Sequence, residues 1–334
     1  MSDTREEQVA SSAAPISDLP PDEAVSSASV SDPDDRGEDQ DGELLGDPLG
    51  LRRLLELEPA GTDGDSFVAA ADPRVQRVRH RLFGGQVAAQ AVMAAGRTVD
   101  LCDAQQLHSL HAYFLRPGRA GEAIRYDVAR SKDGRNFAAR SVTASQGDEV
   151  IFSLQASFTR PEPGIAHQEA RMPEAPDPDD ISEDGPWRAF RGGDSEQRRR
   201  FWSMFRGPVE MREVPRPPRR EGERPVSLRR VWIRPRGPLP EDPLVHAAVL
   251  VWVSDRSLIG TGAAPHPELR RGGGASLDHA MWLHHPPRFD DWLLFVMESP
   301  VANAARALIH GSMYRRDGTR VASIVQEGLI RAAR

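Results

Sequence analysis

The sequence predicts an α+β protein in which two antiparallel sheets each wrap around a long buried helix. Two long apolar segments have helical character, and each is followed by alternating, strand-like segments separated by turn residues. The order and type of elements in the first half recur in the second. We interpret this recurrence as an internal duplication, although the halves share little sequence identity.

The first predicted helix spans residues 83–99, where Gly84 and Gly85 precede a long run of helix-forming residues. From Gln86 onward it carries only four polar residues, so most of its circumference is expected to be buried. Its many alanines would let a sheet pack closely against it. Helical leucine spacing begins at Asp47, and strands are predicted near 66–70, 106–115, 123–130, 136–145 and 150–159.

The second predicted helix begins after Asp242-Pro243 and covers the segment LVHAAVLVWVSDRSLI. Aligning the last strands of the two halves makes Gln155 the equivalent of Gln326, at an offset of 171 residues. Strand edges of the two halves could pair into one continuous sheet. Strands are predicted near 209–214, 231–235, 275–284, 291–298, 304–314 and 320–331.

The N-terminus differs in composition from the rest of the chain. Residues 1–48 carry 14 acidic side chains and two arginines, and such a tract cannot bury enough apolar surface to order itself. It has no features of a signal or transit peptide. We therefore predict a disordered acidic tail over 1–46, an N-terminal domain over 47–162, a linker over 163–207 with a local helix near 198–205, and a C-terminal domain over 208–334.

Composition also limits the cellular context and the partners. The single cysteine, Cys102, cannot form an internal disulfide and is typical of a reducing cytoplasm. The longest apolar run is too short for a membrane span. The arginines are scattered among acids, so no nucleic-acid footprint is predicted. Arginine clusters at 198–200, 219–220 and 229–230 could meet CoA phosphates, although a solvated surface is the stronger interpretation.

Three polar residues interrupt apolar elements of the second half. Asp255 ends the second helix's apolar run, Ser276 opens SLDHAMWLHH, and Gln326 lies within VASIVQEGLI. A buried polar group costs about 1–3 kcal/mol unless it is hydrogen-bonded. A carboxylate, a hydroxyl and an amide could together hold a water molecule. Periodicity alone favours the alternative, in which Asp255 caps a helix and the others satisfy backbone groups.

Several longer strings resemble the acyl-CoA thioesterase II family of double-hotdog proteins. They are RLFGGQVAAQA, LHSLHAYFLRPG, IRYDVARSKDGRNFAARSV and IFSLQASF in the first half, and VWIRP, VSDRSL, SLDHAMWLHHP, WLLFVMESP and VASIVQEG in the second. The resemblance implies that the chain hydrolyses acyl-CoA to carboxylic acid and CoA without a metal or organic cofactor, as a cytoplasmic homo-oligomer assembled through its sheets. It also implies that Asp255, Ser276 and Gln326 hold the catalytic water.

Several residues, and the function itself, have more than one interpretation. Gly84 and Gly85 could present backbone N–H groups to an oxyanion, or could only permit close packing. Asp278 lies near Ser276 and competes with Asp255, although the family motif favours Asp255, and we predict Asp278, with Gly84 and Gly85, as a substrate-binding residue. Histidines such as His279 are interpreted as structural or pocket-lining. Rival functions are a non-catalytic acyl-CoA-binding scaffold and a hotdog enoyl-CoA hydratase, for which His246 lacks the expected neighbours.

Overall fold

The computed structural model describes residues 50, 54–71, 77–78, 81–99, 106–182, 209–216, 226–266, 269 and 274–331. All of them belong to one compact unit, Asp39–Arg334. The predicted tail over 1–46 and the predicted helix near 198–205 lie outside the described residues, as does most of the predicted helix that begins at Asp47. The predicted domain boundaries therefore stay a prediction.

The first half contains one long helix between short and long strands. The predicted helix and the five predicted strands are confirmed to within a few residues, whereas three two-residue strands were not predicted. In chain order the elements are β1 (Glu58–Pro59), β2 (Ser66–Ala69), β3 (Arg77–Val78), β4 (Arg81–Leu82), α1 (Gly84–Arg97), β5 (Gln106–Phe114), β6 (Ile124–Asp133), β7 (Phe137–Gln146) and β8 (Glu149–Thr159).

The second half repeats this order, and its predicted strands are also confirmed. The strand predicted near 275–284 is divided at Leu277 into two strands. The elements are β9 (Val209–Glu213), β10 (Arg229–Pro235), α2 (Pro243–Ser254), α3 (Leu258–Ala263), β11 (Gly274–Ser276), β12 (Asp278–Leu283), β13 (Leu293–Asn303), β14 (Arg306–Arg315) and β15 (Arg320–Ile330).

The second buried helix ends earlier than predicted. It begins as expected, with the Asp242 side chain accepting a hydrogen bond from the Leu244 N–H at 2.9 Å and with Pro243 in the first turn. However, α2 stops at Ser254, Asp255 is its C-cap, and Ser257 adopts a left-handed backbone conformation with φ of 71°. This turn starts α3, so the prediction of one helix through Ile259 was wrong.

The two predicted sheets are joined edge to edge. The described strands form a 13-stranded sheet in the order β1-β2-β6-β7-β8-β5-β12-β15-β14-β13-β10-β9, with β11 paired to β15, and β3 and β4 form a separate ribbon. First-half and second-half strands meet at β5 and β12, where His111 lies opposite Ala280. The sheet is continuous because this central pair is antiparallel and hydrogen-bonded along both strands.

The two long helices are antiparallel and in direct contact. A Cβ atom at Gly85 would lie 2.5 Å from the Trp252 carbonyl oxygen, and one at Gly96 would lie 2.3 Å from Leu244 Cδ1. The beginning of α1 therefore lies beside the end of α2. Both helices are almost completely buried. Within the described part of the chain, no helix is long and apolar enough to cross a membrane.

Part of the predicted linker packs against the sheet. Residues 161–182 contain only a short 3₁₀ turn, Pro178–Asp180, yet Ile181 is buried in a second apolar cluster with Trp232 and Trp292. The Trp232 indole N–H donates to the Pro176 carbonyl oxygen at 2.9 Å. This segment is therefore held by packing and hydrogen bonds, and residues 183–208 lie outside the described chain.

Candidate active site

Three elements bring Asp255, Ser276 and Gln326 together. Ser276 Oγ donates to Asp255 Oδ1 at 2.9 Å, and Gln326 Nε2 donates to Ser276 Oγ at 2.9 Å. Asp255 lies at the end of α2, Ser276 ends β11, and Gln326 lies in β15, the strand that pairs with β11. The structure thus places the carboxylate, the hydroxyl and the amide, to which the family resemblance gave a common role, in one hydrogen-bonded group.

The Asp255 carboxylate is buried, and this burial raises its pKa above the ordinary value for aspartate. The electrostatic interaction with His279 and hydrogen bonds from Ser276, Gln326 and the Gly85 N–H oppose the increase. Burial dominates, so the carboxylate is more basic than an exposed aspartate. A raised pKa is the property that a general base near neutral pH requires.

Arg256 places a second charged group beside this carboxylate. Its guanidinium lies 4.7 Å from the Trp252 ring centroid and 5.3 Å from the Phe83 ring centroid. Burial lowers the pKa of Arg256 to about 10, while the charge of Asp255 acts in the opposite direction. The group therefore stays protonated at neutral pH, and aromatic faces accommodate its charge.

Gly84 and Gly85 lie at the same site, although they come from the first half. A Cβ atom at Gly84 would lie 2.9 Å from Asp255 Oδ2 and 2.7 Å from Phe114 Cε1. The N-cap of α1 is Phe83, which has no capping side chain, and the Gly85 N–H donates to Asp255 instead. Asp255 thus caps the neighbouring helix α1, whose positive end stabilises the carboxylate charge.

Two further side chains complete the hydrogen-bonded group. His279, only 1% exposed, places Nδ1 at 2.6 Å from Gln326 Oε1 and Nε2 at 2.8 Å from Ser254 Oγ. Sequence reasoning treated His279 as structural or pocket-lining and did not consider Ser254. The alternation of β12 could have indicated that His279 shares the inner face with Met281 and Leu283.

Asp278 is engaged elsewhere. Its Oδ1 accepts a hydrogen bond from the Glu327 N–H at 2.6 Å, so this carboxylate ties the start of β12 to β15 next to Gln326. Its predicted part in substrate binding stays a prediction.

The suggested equivalence of Gln155 and Gln326 does not extend to their environments. Gln155 is exposed and donates to Ser141 Oγ, whereas Gln326 is completely buried.

His246 has a structural contact at the other end of α2. Its Nδ1 accepts a hydrogen bond from the Phe289 N–H at 2.9 Å. The ring therefore holds the turn before β13, more than two helical turns from Asp255. This contact gives no support to a hydratase that would use His246 as its catalytic histidine.

Comparison with known proteins identifies the family. The acyl-CoA thioesterase family model matches residues 203–329, and the model of the acyl-CoA thioesterase N-terminal domain matches residues 71–159. Acyl-coenzyme A thioesterase 8 from Mus musculus is 33% identical over 315 residues, which cover 89% of this chain and 94% of that protein. The chain belongs to the acyl-CoA thioesterase family. The predicted thioester hydrolase activity toward acyl-CoA is thereby confirmed.

Bacterial proteins show the same relationship and identify the fold. Acyl-CoA thioesterase 2 from Haemophilus influenzae is 34% identical, covering 75% of this chain and 88% of that protein. The crystal structure of the acyl-CoA thioesterase II TesB2 from Mycobacterium marinum has a TM-score of 0.68 and 38% identity, covering 85% and 98% of the respective chains. A hot dog fold protein from Alicyclobacillus acidocaldarius, 18% identical, has a TM-score of 0.67. The chain therefore has a hotdog fold.

Proposed function

We propose that Asp255 is the general base with which this thioesterase hydrolyses acyl-CoA, and that Ser276 and Gln326 position the attacking water. The observation that supports this proposal is the buried carboxylate that accepts hydrogen bonds from a hydroxyl and an amide on separate strands. A water approaching the carboxylate meets these groups at the same place. The Ser276 oxygen has a lone pair that can accept from the water, and the Gln326 amide has a second N–H hydrogen that can donate to it, which fixes the orientation of the water.

The chemistry follows from these positions. Asp255 accepts a proton as the water oxygen bonds to the thioester carbonyl carbon, and the carbonyl oxygen becomes an oxyanion. When the carbon–sulfur bond breaks, the CoA thiolate leaves and takes up the proton. The products are a carboxylic acid and CoA with a free thiol. No metal or organic cofactor is required for this sequence of steps.

The beginning of α1 offers a place for the oxyanion. Gly84 and Gly85 begin the helix, and a side chain at Gly84 would occupy space beside the Asp255 carboxylate. The Gly85 N–H donates to Asp255, and the helix dipole and the other N–H groups at this helix end can stabilise the negative charge of the oxyanion. We therefore retain both glycines as proposed substrate-binding residues, and the close packing they permit is part of the same arrangement.

The proposed architecture is a double hotdog, with one unit over 47–162 and a second over 208–334. The two antiparallel long helices and the central β5–β12 pair support this division. In this arrangement the catalytic carboxylate comes from the second unit and the adjoining helix start from the first. We also propose a cytoplasmic location, which the lone Cys102 supports.

We propose that the chain forms a homo-oligomer through the outer face of its sheet. Two rows of outward-facing residues cross six neighbouring strands without a charged side chain, although 28% of the sequence is charged. The rows consist of Ser141, Gln155, His111, Ala280, Val325 and His310, and of Ala139, Ser157, Ser109, Trp282, Ser323 and Ser312.

Such a face is well suited to a second copy because burying it removes no charge from water. Substituting Val325→Arg places a charge in the middle of one row and should reduce the mass measured by sedimentation velocity. Asn136→Arg, in the turn between β6 and β7 and outside these rows, is a matched control that should leave the mass unchanged. An unchanged mass in the Val325 variant would contradict the proposed interface.

The activity itself is tested by following free thiol released from a series of acyl-CoA substrates. Release that scales with enzyme concentration and stops in the Asp255→Asn variant supports the proposal. Binding of acyl-CoA without thiol release would instead support a scaffold role. Addition of water to an enoyl-CoA with no thiol release would support a hydratase.

A further inference from the structure

His279 belongs to a circuit of hydrogen-bonded side chains that is closed by the backbone between Ser254 and Asp255. From the Asp255 carboxylate the circuit passes through Ser276 and Gln326 to His279. It continues from the imidazole to Ser254, whose backbone precedes Asp255 directly. The circuit joins the end of α2 to β11, β15 and β12. Each side chain in it is therefore positioned by two neighbours.

The donor and acceptor of each hydrogen bond in this circuit determine which nitrogen of His279 carries a hydrogen. The carboxylate only accepts, so Ser276 donates its single hydrogen to Asp255 and accepts from the Gln326 N–H group. The amide carbonyl of Gln326 then points in the opposite direction, toward His279 Nδ1 at 2.6 Å. A carbonyl oxygen only accepts, so Nδ1 must carry the hydrogen and donate it.

We propose that His279 is a positioning residue, whose Nδ1–H holds the Gln326 amide so that its N–H group faces Ser276 and Asp255. This inference rests on the proposed catalytic function. Gln326 is completely buried, so its carbonyl oxygen depends on a protein partner, and His279 provides it. Without that donor the amide can turn away from Ser276 to find another partner, and the water loses its orientation.

Charged neighbours add an electrostatic consequence. Asp255 and Arg256 lie on the α2 side, Gln326 on β15 is uncharged, and the adjacent Asp278 carboxylate binds the Glu327 N–H. The electrostatic interaction with His279 lowers the pKa of Asp255. Its removal therefore raises that pKa, and the acidic limb of the kcat/KM profile should shift to higher pH.

The test compares His279→Leu with His279→Asn. Leucine removes both ring nitrogens, and we expect kcat for a saturating acyl-CoA to fall by about 10–100-fold while KM changes by less than about 3-fold. Asparagine carries an N–H group close to the position of Nδ1, so it should restore most of kcat. Ser254→Ala removes only the far contact and should have a smaller effect than leucine.

His246→Leu provides the matched control. His246 is also a buried histidine of the second half, with a single nitrogen bound to the Phe289 N–H. Its substitution should lower the melting temperature without changing the pH profile. If His279→Leu does not fold, His279→Gln is compared with His279→Asn, because glutamine places its amide near Nε2 and should be at least about tenfold slower.

Equal kcat values and unshifted acidic limbs in the His279 variants would overturn the inference. The parent enzyme and Asp255→Asn are measured in the same series to separate this outcome from failure of the proposed function. If the parent releases thiol and Asp255→Asn does not, an unaffected His279→Leu refutes only the positioning role. If Asp255→Asn is fully active, the proposed catalytic function is refuted.

Discussion

Replacing Asp255 by asparagine removes the proposed base while keeping its size and one acceptor. The Asn side-chain oxygen can still accept from Ser276 Oγ, so the contact now measured at 2.9 Å can persist. Its N–H group cannot accept a proton from water. Loss of a positioned general base lowers the rate by about 10²–10⁴-fold. This corresponds to about 2.7–5.4 kcal/mol of transition-state stabilisation.

The same substitution has the opposite expected effect on stability. Burial raises the folded-state pKa of Asp255, so its favourable contribution is present below the unfolded value of about 3.9 and is lost as pH rises through the folded value. At neutral pH the ionised carboxylate therefore reduces stability. Asparagine carries no charge, although it loses the bond from Gly85. We expect its melting temperature at neutral pH to be no lower than that of the parent.

The assay measures thiol release from a saturating acyl-CoA between about pH 5 and 9, with melting curves at each pH. The parent should lose activity on the acidic side with an apparent pKa above the usual aspartate value of about 3.9. The Asp255→Asn variant should be slow at every pH and should show no acidic limb, because the group that titrates there is absent. Parental kcat in the variant would refute the assignment of Asp255. A slow variant with a strongly lowered melting temperature would refute the argument from burial.

The remaining predictions test neighbouring contacts. Gly84→Ala should lower kcat by about tenfold or more, because its Cβ would lie 2.9 Å from Asp255 Oδ2, whereas Gly164→Ala has no neighbour within 4 Å and should be neutral. Ser276→Ala removes a bond that lowers the pKa of Asp255, so the acidic limb should move to higher pH as kcat falls; an unmoved limb would contradict this role. Ile181→Ala should lower the free energy of unfolding, measured with urea, by about 2–5 kcal/mol without changing kcat, since Ile181 packs in the second apolar cluster, which contains none of the proposed catalytic residues. Equal stability would show that the segment before it contributes little.

Local pattern was sufficient to predict most elements of the fold. The apolar stretch of α1 and the alternation of β5 to β8 depend on nearby residues and on their burial, so their periodicity is visible in one chain. The end of α2 was not predictable in this way. The four polar residues Ser254 to Ser257 lie between two apolar runs that both have helical character, and the position of the break depends on the tertiary contacts of Asp255 and on a left-handed residue that is not glycine.

The members of the proposed catalytic group could be predicted only in part, because some of their contacts also depend on tertiary packing. Asp255, Ser276 and Gln326 each interrupt an apolar element, and the family motif gave them a common function. Gly85 carries no such local signal, and for His279 the alternation of β12 indicates the face of the strand but not the hydrogen-bond partners. Their contacts depend on the antiparallel packing of α1 on α2 and on the facing of β12. A residue's contact across the duplicated halves cannot be inferred from spacing within either half.

The duplicated helix pair has two ends, and the proposed catalytic residues lie at only one of them. Where α1 ends and α2 begins, Thr98 donates to the Ala95 carbonyl oxygen and accepts from Arg140. Its position corresponds to that of Asp255, since each is the C-cap of its helix. A hydroxyl engaged with its own helix cannot act as a base at neutral pH. Substituting Thr98→Asp should therefore create no second active site, because the nearby Leu244 packs against Gly96 and supplies neither a hydroxyl nor an amide. Thiol release by Asp255→Asn combined with Thr98→Asp should stay at the level of Asp255→Asn alone, and recovered turnover would show that the helix end alone determines activity.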